Sequence, residues 1–585
     1  MAKDTMEKRK ELSPSLLIFG GTTEGRLAIS VCEEAGNAFF YSTKGEDQNV
    51  KMHNGIRLCG AMTSEDIISF ADEHNVKCII DAAHPFAENL HKSLEQTALP
   101  VIRLQRLFSA HRSDIVYCRD YEDVLEKLQQ AGIKHLLALS GANTISRLKP
   151  YWREHTTTFR VLDRGESREI ARRNGLPSQN LVYYKHQPSK EEEMELMKAV
   201  GCDAIITKES GETGGFDEKV EAALELGLRV FVLEHPQLPL HWTYVTGKHT
   251  LRRAIEHIVP DFFPLKTGLT TGTCATGATM AALLSLLYDE QPEEVSFSLP
   301  DGEILTIPVT IEKRGVASVI KDFSDDPDVT RGCRITSTVR PGTEGIRFLQ
   351  GKGVGTVTLP GLGIPVGGPA INVTPRRMME KVIKTVTNQP VDITISVENG
   401  EEIARKTFNP KVGVINGISI IGTSGIVSPL SNEAFIESIG RELEVAKAIG
   451  CKAIGIASGK KGETYLKNEY PGLRVIHYGN FVGETLKKVK ALGFEKVVVG
   501  IMIGKAVKLA EGNLDTHSHK VVMNKEFLKS IADVNAHAID SVSMARELWD
   551  VMPQSFFDRV KDLCYKHCRS VYADGDLEIK LIRDK

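Results

Sequence analysis

From Leu16 to Leu233 short apolar runs alternate with stretches of helical spacing, and this alternation limits the fold more than any other feature of the chain. Leu16–Phe19, Cys78–Asp81, His135–Leu139, Asp203–Thr207 and Arg229–Leu233 read as strands, and Arg26–Glu34 carries apolar residues at helical intervals. Strands separated by helices build parallel sheets with helices on both faces. In such sheets ligands bind beyond the carboxyl ends of the strands.

The pattern stops at Ile258-Val259-Pro260-Asp261-Phe262-Phe263-Pro264, where two prolines end a helical stretch. Beyond Lys266, residues 295–322 alternate as strands do, as in Ile304-Leu305-Thr306-Ile307, and the intervening loops are rich in glycine. After Lys411 strand–helix alternation returns, with strands at Ala453–Ile456 and Val497–Ile501. The expected fold class is α/β. It comprises a pair of Rossmann-like parallel-sheet lobes (15–130 and 131–257), a linker (258–264), an α+β domain (265–410) and a further Rossmann-like α/β domain (411–585). A chain of 585 residues is long enough for about four such domains.

The formal net charge of −3 excludes a nucleic-acid or anionic-membrane surface spread over the whole molecule. No apolar run is long enough to span a bilayer. The polar start, Met1–Glu11, does not read as a signal peptide, and the ten cysteines are scattered without a Cys-x-x-Cys pair. A reducing cytoplasm with free thiols is expected, and no metal site. Cys564, His567 and Cys568 read as a C-terminal helix bearing two thiols, since zinc-ligand spacing is absent.

Three strand-end loops in the first half carry chemistry. Gly20-Gly21-Thr22-Thr23-Glu24-Gly25 opens a helix, where main-chain N–H groups hold phosphate or form a bare turn. Asp81-Ala82-Ala83-His84-Pro85-Phe86-Ala87 sets a histidine at a strand tip, as a structural cap or as a site residue. Lys208-Glu209-Ser210-Gly211-Glu212-Thr213-Gly214-Gly215 joins a cation, a hydroxyl and three glycines, which suits an anion. Together these segments, over residues 15–255, resemble the precorrin-6A reductase family of cobalamin biosynthesis. Ala83 and Phe86 stand where the family has threonine and tyrosine, and Gln187-Pro188-Ser189 and His235-Pro236 depart from it. The resemblance implies a nicotinamide cofactor, NADH or NADPH. Gly20, Gly21, Thr22, Thr23 and Glu24 would contact it, with His84, Lys208 and Ser210 in the catalytic cleft. Glu46 or Asp47 on the ribose side would favour NADH.

The second half holds a denser set of motifs. Thr270-Thr271-Gly272-Thr273-Cys274-Ala275-Thr276-Gly277-Ala278 is a run of small residues leading into a helix-like stretch, Met280–Leu287. Ser324-Asp325-Asp326-Pro327-Asp328-Val329-Thr330 gathers three carboxylates that need cations, hydroxyls or water. The glycine-dense segments Gly351–Gly355 and Gly361–Asn372 precede Pro375-Arg376-Arg377, which begins a helix. Gly417–Val427 includes Gly422-Thr423, and Gly504-Lys505-Ala506-Val507-Lys508-Leu509-Ala510-Glu511-Gly512 precedes Thr516-His517-Ser518.

From Lys266 to Val551 this set is similar to the cobalt-precorrin-5B (C1)-methyltransferase family; Ser324 and Ser458-Gly459-Lys460 depart from its usual pattern. The donor so implied is S-adenosylmethionine, near Thr271, Gly272, Thr273, Gly422 and Thr423. Asp325, Asp326 and Asp328 would lie at a polar end of the cleft. Arg376, Arg377, Lys505 and Lys508 would meet the carboxylates of a tetrapyrrole, or serve as solvated helix faces. The two resemblances imply consecutive steps of one pathway. The competing classes are a non-catalytic corrinoid or cobalt carrier, and an NAD(P)-dependent epimerase fused to a further module.

Overall fold

The computed structural model describes residues 15–583 apart from 46–49, 107–110, 187, 211–214, 430 and 518–520. Glu46, Asp47, Gly211–Gly214 and Ser518 therefore lie outside the described residues. The chain forms two compact units, Met1–Pro264 and Leu265–Lys585.

Unit 1 contains two sheets of six strands, all parallel. The first runs, edge to edge, Thr243–Val245, Val101–Leu104, Cys78–Asp81, Leu16–Phe19, Phe39–Thr43, Gly55–Cys59. Its central strand shows why both faces carry helices. Leu16 and Ile18 pack into one apolar cluster, with residues of the helices Thr23–Glu33 and Lys248–Ile258, while Leu17 and Phe19 pack into another with residues of Ser64–His74 and Glu88–Glu95. A strand covered on both faces must be apolar at every position, as this one is. The second sheet runs Val116–Cys118, Arg229–Leu233, Ala204–Lys208, His135–Ala138, Thr156–Leu162, Leu181–Tyr184.

Strand pairing crosses the expected division at 130/131. The strand Val116–Cys118 belongs to the second sheet, and Thr243–Val245 returns to the first. The second lobe is inserted into the first, whose last helix, Lys248–Ile258, is supplied by the far end of the unit. Periodicity marks a strand without telling which sheet it joins.

In unit 2 a mixed sheet, Thr310–Lys313, Val316–Ile320, Arg334–Pro341, Val391–Val397 and Ile346–Gln350, packs against the helix Thr271–Tyr288, itself beside the helix Val373–Val386. A parallel sheet, Val475–His477, Ala453–Ala457, Lys496–Met502, Asp576–Ile582, forms the C-terminal part. Strand pairing also crosses the boundary expected at 410/411: Val414–Ile415 pairs with Thr356–Val357, and Ile426–Val427 with Gly268–Leu269. The C-terminal helix Gln554–Val571 buries Cys564 and Cys568 in the apolar core. Among the described residues no helix is long and apolar enough to cross a membrane.

Candidate active sites

In unit 1 the turn after Leu16–Phe19 is shaped by contact rather than by flexibility. A Cβ on Gly20 would come 2.3 Å from the Tyr41 ring, so only glycine fits there. The Tyr41 hydroxyl in turn accepts from Gly21 N–H at 3.0 Å. Thr22 is the N-cap: its Oγ accepts from Gly25 N–H at 3.1 Å and donates to the Ala82 carbonyl at 2.6 Å. The glycine turn is thereby tied to the loop that carries His84. The first turn of the helix, at Thr23 and Glu24, lies at the carboxyl edge of the sheet, where its dipole favours an anion.

Glu24 faces protein. Arg106 grips it through both guanidinium ends (Nε–Oε1 2.9 Å, Nη2–Oε2 2.8 Å) and also donates to the Ser210 carbonyl. Burial would raise the Glu24 carboxyl, but these bonds and the Arg106 charge carry it below its ordinary value. Arg106 thus connects the nucleotide-type turn of the first lobe to the Lys208–Ser210 loop of the second. Sequence reasoning missed it, because it follows its strand in a stretch without a motif.

His84 is exposed at its edge, yet burial by the surrounding protein and the cations Arg106, Lys208 and Arg103 push its pKa down to about 4. Its Nδ1 accepts from Phe86 N–H at 3.2 Å, so the neutral ring carries its proton on Nε2. Lys208 lies over the Phe86 ring, Nζ 4.7 Å from the centroid, and burial lowers its pKa against the opposing pull of Glu88. Ser210 is buried. His84, Lys208 and Phe86 therefore share one patch. Beneath it Asp81 is wholly buried against Arg103 (2.7 Å), with Nε2 of His91 3.3 Å away. The signal for that pair was an arginine inside an otherwise apolar strand, Val101–Leu104.

In unit 2 the run Thr270–Ala278 is not an open loop. Thr270 caps the helix Thr271–Tyr288, and Thr271 through Thr279 are all buried. Thr271 Oγ accepts from Ile421 N–H at 2.8 Å, Gly272 N–H donates to Ile421 O at 2.9 Å, and Thr273 Oγ donates to Gly425 O at 2.6 Å. A Cβ on Gly272 would stand 2.6 Å from Pro375. Thr271, Gly272 and Thr273 thus bond to the 417–427 segment and do not form an open loop. Instead they shape the turn at Gly422 and Thr423.

That turn does border a cavity of about 160 Å3, whose other walls include Asn372 and Thr374 at the start of the helix Val373–Val386 and Glu437 and Arg441 on the helix Asn432–Ala448. Thr423 Oγ donates to Glu437 Oε2 at 3.0 Å, and Arg441 donates to Glu437 Oε1.

The remaining expected residues are mostly committed to the protein. Asp328 meets the buried Lys321 at 2.7 Å and accepts from Thr330 Oγ at 2.6 Å; burial would raise its carboxyl, but Lys321 and Thr330 bring it below its ordinary value. Asp325 accepts from Lys266 N–H at 2.7 Å, and the Asp326 carbonyl accepts from Asp328 N–H. Arg376 donates to the carbonyls of Ile371 (2.7 Å) and Pro369 (3.3 Å) over the Phe348 ring. Lys505 Nζ donates to Gly479 O at 2.6 Å, and Lys508 Nζ to Thr516 O at 3.4 Å. Asp325, Asp328, Arg376, Lys505 and Lys508 each therefore make a contact that helps to hold a loop. Arg377 is exposed near the start of its helix.

Comparison with known proteins follows the two units. A family model described as CbiD matches residues 260–429, and one described as precorrin-6x reductase CbiJ/CobK matches residues 15–258. The cobalt-precorrin-5B C(1)-methyltransferase of Prosthecochloris aestuarii is 41% identical over 345 residues, covering 54% of this chain and 94% of that protein. The chain belongs to the cobalt-precorrin-5B C(1)-methyltransferase family. The Brucella anthropi protein of the same name is 44% identical over 283 residues, 46% of this chain and 77% of its own. Among solved structures, the cobalamin biosynthesis protein (cbiD) from Archaeoglobus fulgidus is 30% identical with a TM-score of 0.25, covering 44% of this chain and 83% of that one. A CobK precorrin-6A reductase is 18% identical with a TM-score of 0.35, covering 42% and 98%. To its family's methyltransferase module this chain adds a reductase module at its N-terminal end. It is a bifunctional enzyme of cobalamin biosynthesis, a C-methyltransferase and an oxidoreductase.

Proposed function

We propose that unit 2 transfers a methyl group from S-adenosylmethionine to carbon 1 of cobalt-precorrin-5B, giving cobalt-precorrin-6A, and that unit 1 reduces this product to cobalt-precorrin-6B with NADH or NADPH. One observation carries the reading: the two family matches follow one another along the chain, residues 15–258 inside the first compact unit and residues 260–429 almost wholly inside the second. We further propose a four-part division, two interleaved reductase lobes followed by an α+β and an α/β part, and a cytoplasmic location.

The fit to a dinucleotide rests on the Gly20 turn, where a helix begins at the carboxyl edge of a parallel sheet and its dipole favours a phosphate. Gly20, Gly21, Thr22 and Thr23 would hold it, while Glu24 fixes Arg106. The nicotinamide supplies hydride when bound. His84, neutral with its proton on Nε2, would donate a hydrogen bond to the substrate, and Lys208 and Ser210 would orient its carboxylates. In unit 2 the donor's sulfonium makes the methyl group reactive, so holding donor and acceptor in line is the protein's main contribution, worth roughly 7–11 kcal/mol. The cavity at Gly422 and Thr423 suits that alignment.

The test is anaerobic incubation of the full chain with the methyl acceptor and each cosubstrate, alone and together, read by mass spectrometry. The expected products are one methyl group heavier with S-adenosylmethionine, then two hydrogens heavier with reduced nucleotide. Reduction of the unmethylated acceptor, or no methylation, would overturn the reading.

A further inference from the structure

The 160 Å3 cavity is smaller than pockets that enclose whole small ligands, roughly 300–1,000 Å3. It has room for one end of a methyl donor, and charge distinguishes the ends. Glu437 and Arg441 stand side by side in one wall as a bonded pair of opposite charges, with Thr423 also donating to Glu437. Glu444, three residues on along the same helix, also lines the cavity and is a second acidic residue there. An adenine carries no net charge to match such a wall, and a sulfonium carries only one sign. An α-amino acid carries an ammonium and a carboxylate on one carbon, the complement of a neighbouring glutamate and arginine.

We propose that this cavity receives the zwitterionic amino-acid end of S-adenosylmethionine. The ammonium group sits against Glu437 and Glu444, and the carboxylate against Arg441, in charge-assisted hydrogen bonds. The assignment rests on the reading of unit 2 as a user of that donor. It also explains Thr423, whose hydroxyl holds Glu437 in place.

The experiment uses the full chain and two probes. Adenosylhomocysteine carries the amino-acid end; methylthioadenosine has the same nucleoside and thioether without it. Calorimetry on the wild type should give an affinity for adenosylhomocysteine at least about tenfold above that for methylthioadenosine, the scale of one charge-assisted contact pair. In the double variant Glu437→Gln/Glu444→Gln that preference should fall below about threefold with the methylthioadenosine affinity unchanged, and Arg441→Gln should show the same selective loss. An unchanged preference in these variants would overturn the subsite while leaving the donor assignment standing. Parallel loss of both affinities would also overturn it, since a head-group contact must spare the nucleoside. If neither probe binds the wild type, the donor reading itself fails.

Discussion

Arg106 shows how one side chain can hold a role that its sequence neighbourhood hides. Its two-pronged hold on Glu24 and its bond to the Ser210 carbonyl need a planar fork, which lysine lacks. Arg106→Lys is therefore expected to lower reductase kcat/KM by roughly ten- to a hundredfold, with methyl transfer unaffected, as steady-state assays of both reactions would show. His84 makes a pH prediction. Its pKa when folded is about 4, below its ordinary 6.5, so the unfolded chain takes up that proton first as pH falls. The stabilising contribution of neutral His84 is complete above pH 6.5 and is lost between 6.5 and 4. NMR titration of the ring should give a midpoint near 4; a midpoint near 6.5 would show that burial and the surrounding cations do not act on it. Arg103→Met should cost about 3–5 kcal/mol in urea unfolding of unit 1, because Asp81 stays buried without its main partner.

At the scale of elements, the helix Thr271–Tyr288 works as a post around which the 417–427 turn is hung. Gly272→Ala weighs two effects. Alanine favours a helix by about 1 kcal/mol over glycine, but its Cβ would meet Pro375 at 2.6 Å and the Ile421 carbonyl at 3.0 Å. Crowding of that kind costs about 1–3 kcal/mol, so the variant should melt lower in unit 2 and disturb the Gly422 turn, which calorimetry would register. The same helix shows what sequence alone conveys. Strands such as Leu16–Phe19 and Cys78–Asp81 were legible because nearly every position in them is apolar. The Thr270 run was legible as special but not in its role, since small residues pack closely against backbone as readily as against a ligand. Long-range partners were hidden: Asp328 and Lys321, Arg376 and the Pro369 carbonyl, Glu437 and Thr423 belong together only once the chain has folded.

At the scale of the molecule, the two compact units meet in sequence at Pro264/Leu265. Each has its own apolar clusters, so chains cut there are expected to melt cooperatively on their own and to keep their separate activities. Comparing the intact chain with an equimolar mix of the two pieces measures what the covalent link adds: a larger flux from methylation to reduction in the intact chain would mark local handover, and equal flux would leave shared synthesis as its only benefit. Within unit 1 the insertion of one lobe into the other orders events at the ribosome. The first sheet cannot be sealed until Thr243–Ile258 has emerged, long after its central strands were made. The later-made lobe is free to fold first, and the sheet that carries the Gly20 turn closes last, from the inside of the gene outward.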